Sequence, residues 1–405
     1  MYDATPLFKF ESHTKEQLVS EVQRLYQHLE AEKAKCFGIQ INQDVNDSQL
    51  FAPLLSHNLN NLGDPFTGTG GHLVTFEYEQ ELVRLVASLL HLNSEDAWGY
   101  FTSGSTISNI HGVHLGMKRF ADPVLVISED AHNSFLKAAE ITRCKHVIQI
   151  KTNRRGEMSV NDFADKIKRS SARNFLIVLC SGTVNKGAYD NADELLGALN
   201  VLGIDKERYY LHIDAALGGM ITPFLESHPI NLDFSLPQAD SLAVSFHKRV
   251  GIPVPGSLFI ARRQTLNGLP ECNYAEHYSS YDTTIAGSRD GLTPFITLMK
   301  MKLLGYQGLV KQTRVVLDRA AWCVDLMQKN GVAAWHNRHS PCVVLPAPSR
   351  KLLDEYHLPL YKSPDGDYTH VFTMEHVTEQ RLTLFVEKYL DAGRIEKRLN
   401  NCSDI

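Results

Sequence analysis

The sequence predicts an α/β domain built on a mainly parallel sheet, with a helical segment before it and a small α+β domain after it. Three observations carry that reading. From about residue 98, short apolar runs alternate with single helical stretches. Those runs are continuous rather than alternating, as in parallel strands covered on both faces. After residue 295 a long helical pattern takes over, and the remainder changes rhythm. A chain of 405 residues has room for this organisation. The expected divisions are a helical segment over 1–60, the large α/β domain over 61–300 and the small α+β domain over 301–405.

The first element is "TKEQLVSEVQRLYQHLEAEKAK" (14–35), where Leu18, Val22, Leu25 and Leu29 recur at helical spacing. That stripe has to pack on something, a partner subunit among the options. "FEYEQELVRLVASLLHL" (76–92) is a second helix, after the Gly-rich stretch 63–72, which lacks the G-K-[ST] of a nucleotide loop. Four strand–helix alternations follow, beginning with "WGYFT" before a helix from Ile107 to Arg119 and continuing with "PVLVIS", "HVIQI" and "NFLIVLCS", and then a fifth strand, "YYLHID". "SLAVSF" and "GSLFIA" read as two consecutive strands joined by a loop. The helix after residue 295 ends at Asn330–Gly331, a C-cap signal. "PCVVLPAP", "THVFTMEH" and a last helix complete the small domain.

Composition narrows the function. With 43% hydrophobic and 21% charged residues the chain reads as an ordinary globular protein. A net charge of −5 gives no footing for nucleic acid or an anionic membrane as partner. No apolar segment approaches the roughly 20 residues a membrane span needs, and the first residues lack a secretory pattern. The seven cysteines (36, 144, 180, 272, 323, 342, 402) are scattered and form no C-x-x-C pair, which points to a reducing, cytoplasmic compartment and no metal.

Four segments fall where ligands gather in open α/β sheets, at the carboxyl ends of strands. Ser103–Gly104–Ser105–Thr106 opens a helix and suits a phosphate, although a plain Ser/Thr cap has the same appearance. His132 follows "VLVIS" and can stack on a flat ring or cap the next helix. Asp214 closes an apolar strand before Ala215 and Ala216; it needs a cationic partner or loop amides to offset its desolvation. Lys248 sits between two apolar strands, where desolvation frees an amine to attack carbonyls; a strand-end lysine facing water is the bland alternative. In order, these are a phosphate anchor, a ring clamp, a counter-ion for a pyridinium nitrogen and a Schiff-base amine. No G-x-G-x-x-G follows a strand, so a dinucleotide is not expected.

The sequence resembles the group II pyridoxal-phosphate-dependent decarboxylases, of the shorter bacterial histidine decarboxylase type. The resemblance runs from about residue 60 to 295, through "NLGDPF", "WGYFTSGST", "SEDAHNSFLKAA", "SGTVNKGAYD", "HIDAALGGMITPF", "AVSFHKRVGIPVPG" and "TTIAGSRDG", with an echo at "HVFTMEHVT". It implies a fold type I, aspartate aminotransferase-like large domain, pyridoxal 5'-phosphate as cofactor, and a homodimer. Residue by residue, Lys248 resembles the lysine that binds the cofactor covalently, and His247 its phosphate-contacting neighbour. Asp214 resembles the carboxylate at the pyridine nitrogen, with Ala216 under the ring and His132 stacked over it. Ser105 and Thr106 match the phosphate loop, Asn109 continues that helix start, and Ser245 is a further phosphate-side residue. Thr183 is expected at the ring hydroxyl.

The activity implied is decarboxylation of an L-amino acid, histidine first, to an amine and CO2. A related lyase, aldolase or transaminase-like reaction shares the same cofactor site, and a non-catalytic homologue would lack reason for an intact Lys–Asp–His set. Three departures bear on substrate. Ile107 stands at an acidic position of the family, Phe246 at a glycine beside the lysine, and Asp290 at an asparagine. Arg289, next to the last of these, is expected to meet either a carboxylate or a structural ion-pair partner.

Overall fold

The computed structural model describes residues 12–67, 72–227, 229–267, 274–275 and 280–402. Residues 1–11, residues 68–71 of the Gly-rich stretch and Cys272 lie outside them, as does the Cys402 side chain. Helix α1 (Lys15–Lys33) starts at a capping box: Thr14 Oγ1 accepts from the Gln17 amide, and Gln17 Oε1 accepts from that of Thr14. It buries none of its residues, so Leu18, Val22, Leu25 and Leu29 form an exposed stripe.

Strand β1 (Asn60–Leu62) and helix α2 (Phe76–Leu89) lead into the main alternation. It comprises β2 (Ala97–Thr102), α3 (Ser105–Arg119), β3 (Val124–Ser128), α4 (Ser134–Thr142), β4 (Val147–Ile150), α5 (Val160–Arg169), β5 (Phe175–Cys180), α6 (Ala192–Val201) and β6 (Tyr209–Asp214). Strands β7 (Ser241–Ser245) and β8 (Ser257–Arg262) complete a seven-stranded sheet of order β2-β8-β7-β6-β5-β3-β4. Only β8 runs against its neighbours, because a short loop after β7 can return the chain only antiparallel.

The expectation of strands covered on both faces holds for every strand but β4. It lies at the sheet edge, where Val147 and Gln149 are exposed and only Ile150 is buried.

Two short pieces, β9 (Tyr274–Ala275) and β10 (Ser280–Tyr281), pair with each other, and β11 (Ser288–Asp290) pairs with β1. Helix α7 (Leu292–Lys329) follows, interrupted by non-helical backbone at Gly305. Its start is satisfied by Asp290, whose carboxylate accepts from the Leu292 and Thr293 amides. That is the physical use of one family departure.

The small sheet β12 (Trp335–His336), β13 (Cys342–Pro346) and β14 (Tyr368–Phe372) is antiparallel and carries α8 (Arg350–Glu355) and α9 (Glu379–Cys402). One core runs from Leu82 to Val310, and a second from Ala320 to Val386 takes in Phe37. Packing therefore changes partners along α7. The five cysteines whose side chains are described are free thiols. No described helix is long and apolar enough to cross a membrane.

Candidate active site

The carboxyl ends of β3, β5, β6 and β7 meet at one cavity. Register brings this about: Asp214 pairs with Cys180 on β5 and with Ala243 on β7, so the chain beyond each strand opens on the same side. Six of the residues expected from sequence line it: Ser105, His132, Thr183, Asp214, Ala216 and Lys248.

Lys248 lies three residues beyond β7, in a turn closed by the Val250 amide on the Phe246 carbonyl at 2.7 Å. Desolvation lowers its pKa, and the opposing pull of Asp214 does not outweigh that effect. Lys248 is half-buried and lines the cavity, which favours a task there over the bland alternative of a lysine facing water. Asp214 is buried, with Oδ2 accepting from Asn109 Nδ2 at 3.1 Å and Oδ1 from the Ala216 amide at 3.2 Å. His132 Nδ1 accepts from the Ser134 amide at 3.1 Å, and burial lowers its pKa against the pull of Asp214. The imidazole is thus neutral near pH 7.

The Ser103–Thr106 turn passes through Gly104 at φ 92, a conformation glycine adopts without strain. Ser105 and Thr106 then form the first turn of α3, where backbone N–H groups have no helical acceptor. Thr183 Oγ1 accepts from the Ala188 amide at 3.0 Å, which leaves its proton for a further acceptor.

Four expected residues stand behind the cavity wall. His247 Nδ1 meets the Gly256 backbone at 3.1 Å, and burial lowers its pKa. Ser245 Oγ pairs with Ser257 Oγ at 2.7 Å and is fully buried. Asn109, which continues the helix start after Ser105 and Thr106, donates through its amide to Asp214. Thr106 is half-buried beside Ser105.

Four lining residues were missed: Asp130, Cys180, Gly182 and Val184. Asp130 carried a usable signal, a carboxylate two residues past a strand end. It is paired with Lys186 Nζ at 3.2 Å and Asn185 Nδ2 at 3.3 Å.

The departures resolve by position. Phe246 is fully buried in the large core and does not line the cavity. Ile107 packs on the apolar cluster beneath α3. Arg289 takes the structural alternative: it pairs with buried Glu79 and donates to the Gly63 carbonyl at 2.6 Å.

The donor set suits pyridoxal phosphate. A half-buried amine, a fixed carboxylate, a neutral imidazole and open helix-start amides share one cavity. Fold and cavity together define a fold type I enzyme that uses that cofactor. Residues 49–338 match the family described as the pyridoxal-dependent decarboxylase conserved domain. Serine decarboxylase 2 of Oryza sativa subsp. japonica is 33% identical over 385 residues, covering 95% of this chain and 80% of that protein. Histidine decarboxylase of Morganella morganii is 33% identical over 339 residues, 83% of this chain and 86% of that one. Among solved structures, L-methionine decarboxylase from Streptomyces sp.590 superposes with a TM-score of 0.86 at 20% identity, covering 95% and 97% of the two chains. The chain belongs to the group II pyridoxal-phosphate-dependent amino-acid decarboxylases, which are carboxy-lyases.

Proposed function

We propose that the chain decarboxylates L-histidine, and that it does so through Lys248, Asp214 and His132. The observation that carries the reading is the convergence of these three side chains on one cavity. Bound pyridoxal phosphate supplies an electron sink for the pair left at the α-carbon when CO2 departs. Lys248, its pKa lowered by burial, would hold it covalently through its amine. Asp214, held by two N–H donors, keeps a proton on the pyridine nitrogen. His132 would present an uncharged flat face to the ring, and the small Ala216 would leave room for it. Ser105, Thr106 and His247 serve the phosphate, Thr183 the ring hydroxyl, with Ser245 and Asn109 as support.

Histidine is favoured by likeness to the bacterial enzymes, and the one bulky departure beside the lysine is turned away from the cavity. Serine is the second reading, favoured by the longer match to the rice protein. CO2 release and amine formation across histidine, serine and methionine decide between them. Histidine is expected to give the highest kcat/KM; a serine preference would replace it, and no CO2 from any amino acid would defeat the reading. Asp214→Ala is expected to keep the fold and lose most activity. Lys248→Ala is expected to release the cofactor on gel filtration.

The same reading includes a cytoplasmic homodimer with α1 at its interface, and division into 1–60, 61–300 and 301–405. The exposed stripe of α1 supports the first part. The break at Gly305 and the change of core along α7 support the second.

A further inference from the structure

Behind Asp214 and His132 lies a buried residue with no role in the account above. His212 precedes Asp214 by two on β6, so both point to the same face of the sheet, toward α3. It is 2% exposed. Helix α3 makes space for it with Gly112, where a Cβ would lie 2.4 Å from His212 Nδ1. A mid-helix glycine costs about 1 kcal/mol relative to alanine, so the ring's presence here has a local cost in stability.

The hydrogen bonds around this ring have one consistent direction. An ionised Asp214 only accepts, so Asn109 must turn its NH2 toward Asp214 Oδ2, 3.1 Å away, and its oxygen the other way. That oxygen, Oδ1, lies 3.1 Å from His212 Nε2, which must then carry the proton. Nδ1 of the neutral ring accepts from Ser241 Oγ at 2.8 Å, and Ser241 accepts in turn from Tyr210 OH at 2.8 Å. On the far side Asn109 Nδ2 also donates to Ser134 Oγ at 2.9 Å. The Ser134 proton is left for His132 Nδ1, 2.8 Å away, and His132 keeps its own on Nε2.

We propose that His212 is a positioning residue that, through Asn109, holds Asp214 and His132 in fixed orientation as one unit against the cofactor. Without the His212 N–H the Asn109 amide is free to rotate, and its oxygen can then face the Asp214 carboxylate. Burial, which draws the His212 pKa down to about 4, keeps the ring in the neutral form this arrangement uses. The inference rests on Asp214 being the partner of the pyridine nitrogen.

The test compares His212→Gln, which keeps an N–H near the Nε2 position, with His212→Asn, which is too short to reach Asn109 but keeps a polar group for Ser241. Pyridoxal phosphate is titrated into each apoprotein, and kcat and KM are measured separately. His212→Asn is expected to weaken cofactor affinity about tenfold, the loss of one buried hydrogen bond. It should lower kcat more than it alters KM, and His212→Gln should stay within about threefold of the parent. In an Asn109→Ser background the two His212 variants should become indistinguishable. Equal behaviour of the Gln and Asn variants in the parent background, or undiminished cofactor affinity in His212→Asn, would overturn the proposal. Should His212→Asn not fold, Asn109→Ser alone decides, since unchanged affinity there removes the bridge from the account. Asp214→Ala separates the two readings. If it too binds cofactor like the parent, the assignment of Asp214 has failed; if it alone is impaired, only the role of His212 has.

Discussion

The Phe246 ring lies parallel to that of Phe101, with centroids 6.1 Å apart and 9° between planes. The residue two positions before Lys248 is thus a core residue, packed between β7 and the first strand of the sheet. Phe246→Leu is expected to cost about 1 kcal/mol of stability, as near volume-conserving core changes do, and to leave the ranking of amino-acid substrates unchanged. Urea unfolding and a substrate panel check both halves; an altered ranking would return Phe246 to the cavity wall.

Glu79 is fully buried and holds three donors: Arg289, Asn61 Nδ2 at 2.7 Å and the Phe101 amide at 2.7 Å. Glu79→Ala leaves the Arg289 guanidinium buried without its counter-charge. A loss of roughly 3–5 kcal/mol is expected by denaturant unfolding. A loss below about 1 kcal/mol would mean that solvent reaches the arginine.

Helix α1 presents Leu25 at 56% exposure within a stripe that is exposed among the described residues. Leu25→Asp places a charge in the proposed subunit interface and should shift the protein toward monomer. Light scattering after gel filtration at micromolar concentration reads the mass directly. A monomeric parent protein would contradict the interface.

Burial lowers the pKa values of His212, His370 and His376 to about 4. Between that value and the ordinary histidine value the unfolded chain binds more protons, so stability is lost as pH falls through this window. Each buried ring contributes on the order of 3 kcal/mol at full extent. Asp190, raised to about 6 by burial, works in the opposite direction over much of the same range. His132 and His247, lowered by burial in the same way, add to the histidine side, and Glu375, raised by burial, to the other. With the histidines in the majority, the expected outcome is a lower melting temperature at pH 5 than at pH 7. A flat or inverted profile would show that these rings protonate inside the fold without penalty.

Much of the site was legible before any coordinates. Asp214 ends an apolar strand and Lys248 follows one within three residues, and a charge there must have a partner or a task. Strand periodicity suffices to put His212 and Asp214 on one face, but it cannot say that α3 faces them or that Asn109 stands between them. Those partners lie more than 100 residues apart in the chain, and local pattern carries no information on such pairings. Arg289 shows the same limit, since its choice between a carboxylate ligand and an ion pair depends on Glu79, 210 positions away.

The sequence by itself determined the alternation of strands and helices, the cofactor class and six of the residues that line the cavity. Each of these follows from short-range rules: apolar periodicity, turn-forming glycines, and charged groups at strand ends. Only the tertiary structure decided that β4 is an exposed edge, that Phe246 belongs to the core, and that the Asn109 amide meets Asp214. Those outcomes depend on which strand lies beside which and which helix covers them, and that is settled by packing between distant segments.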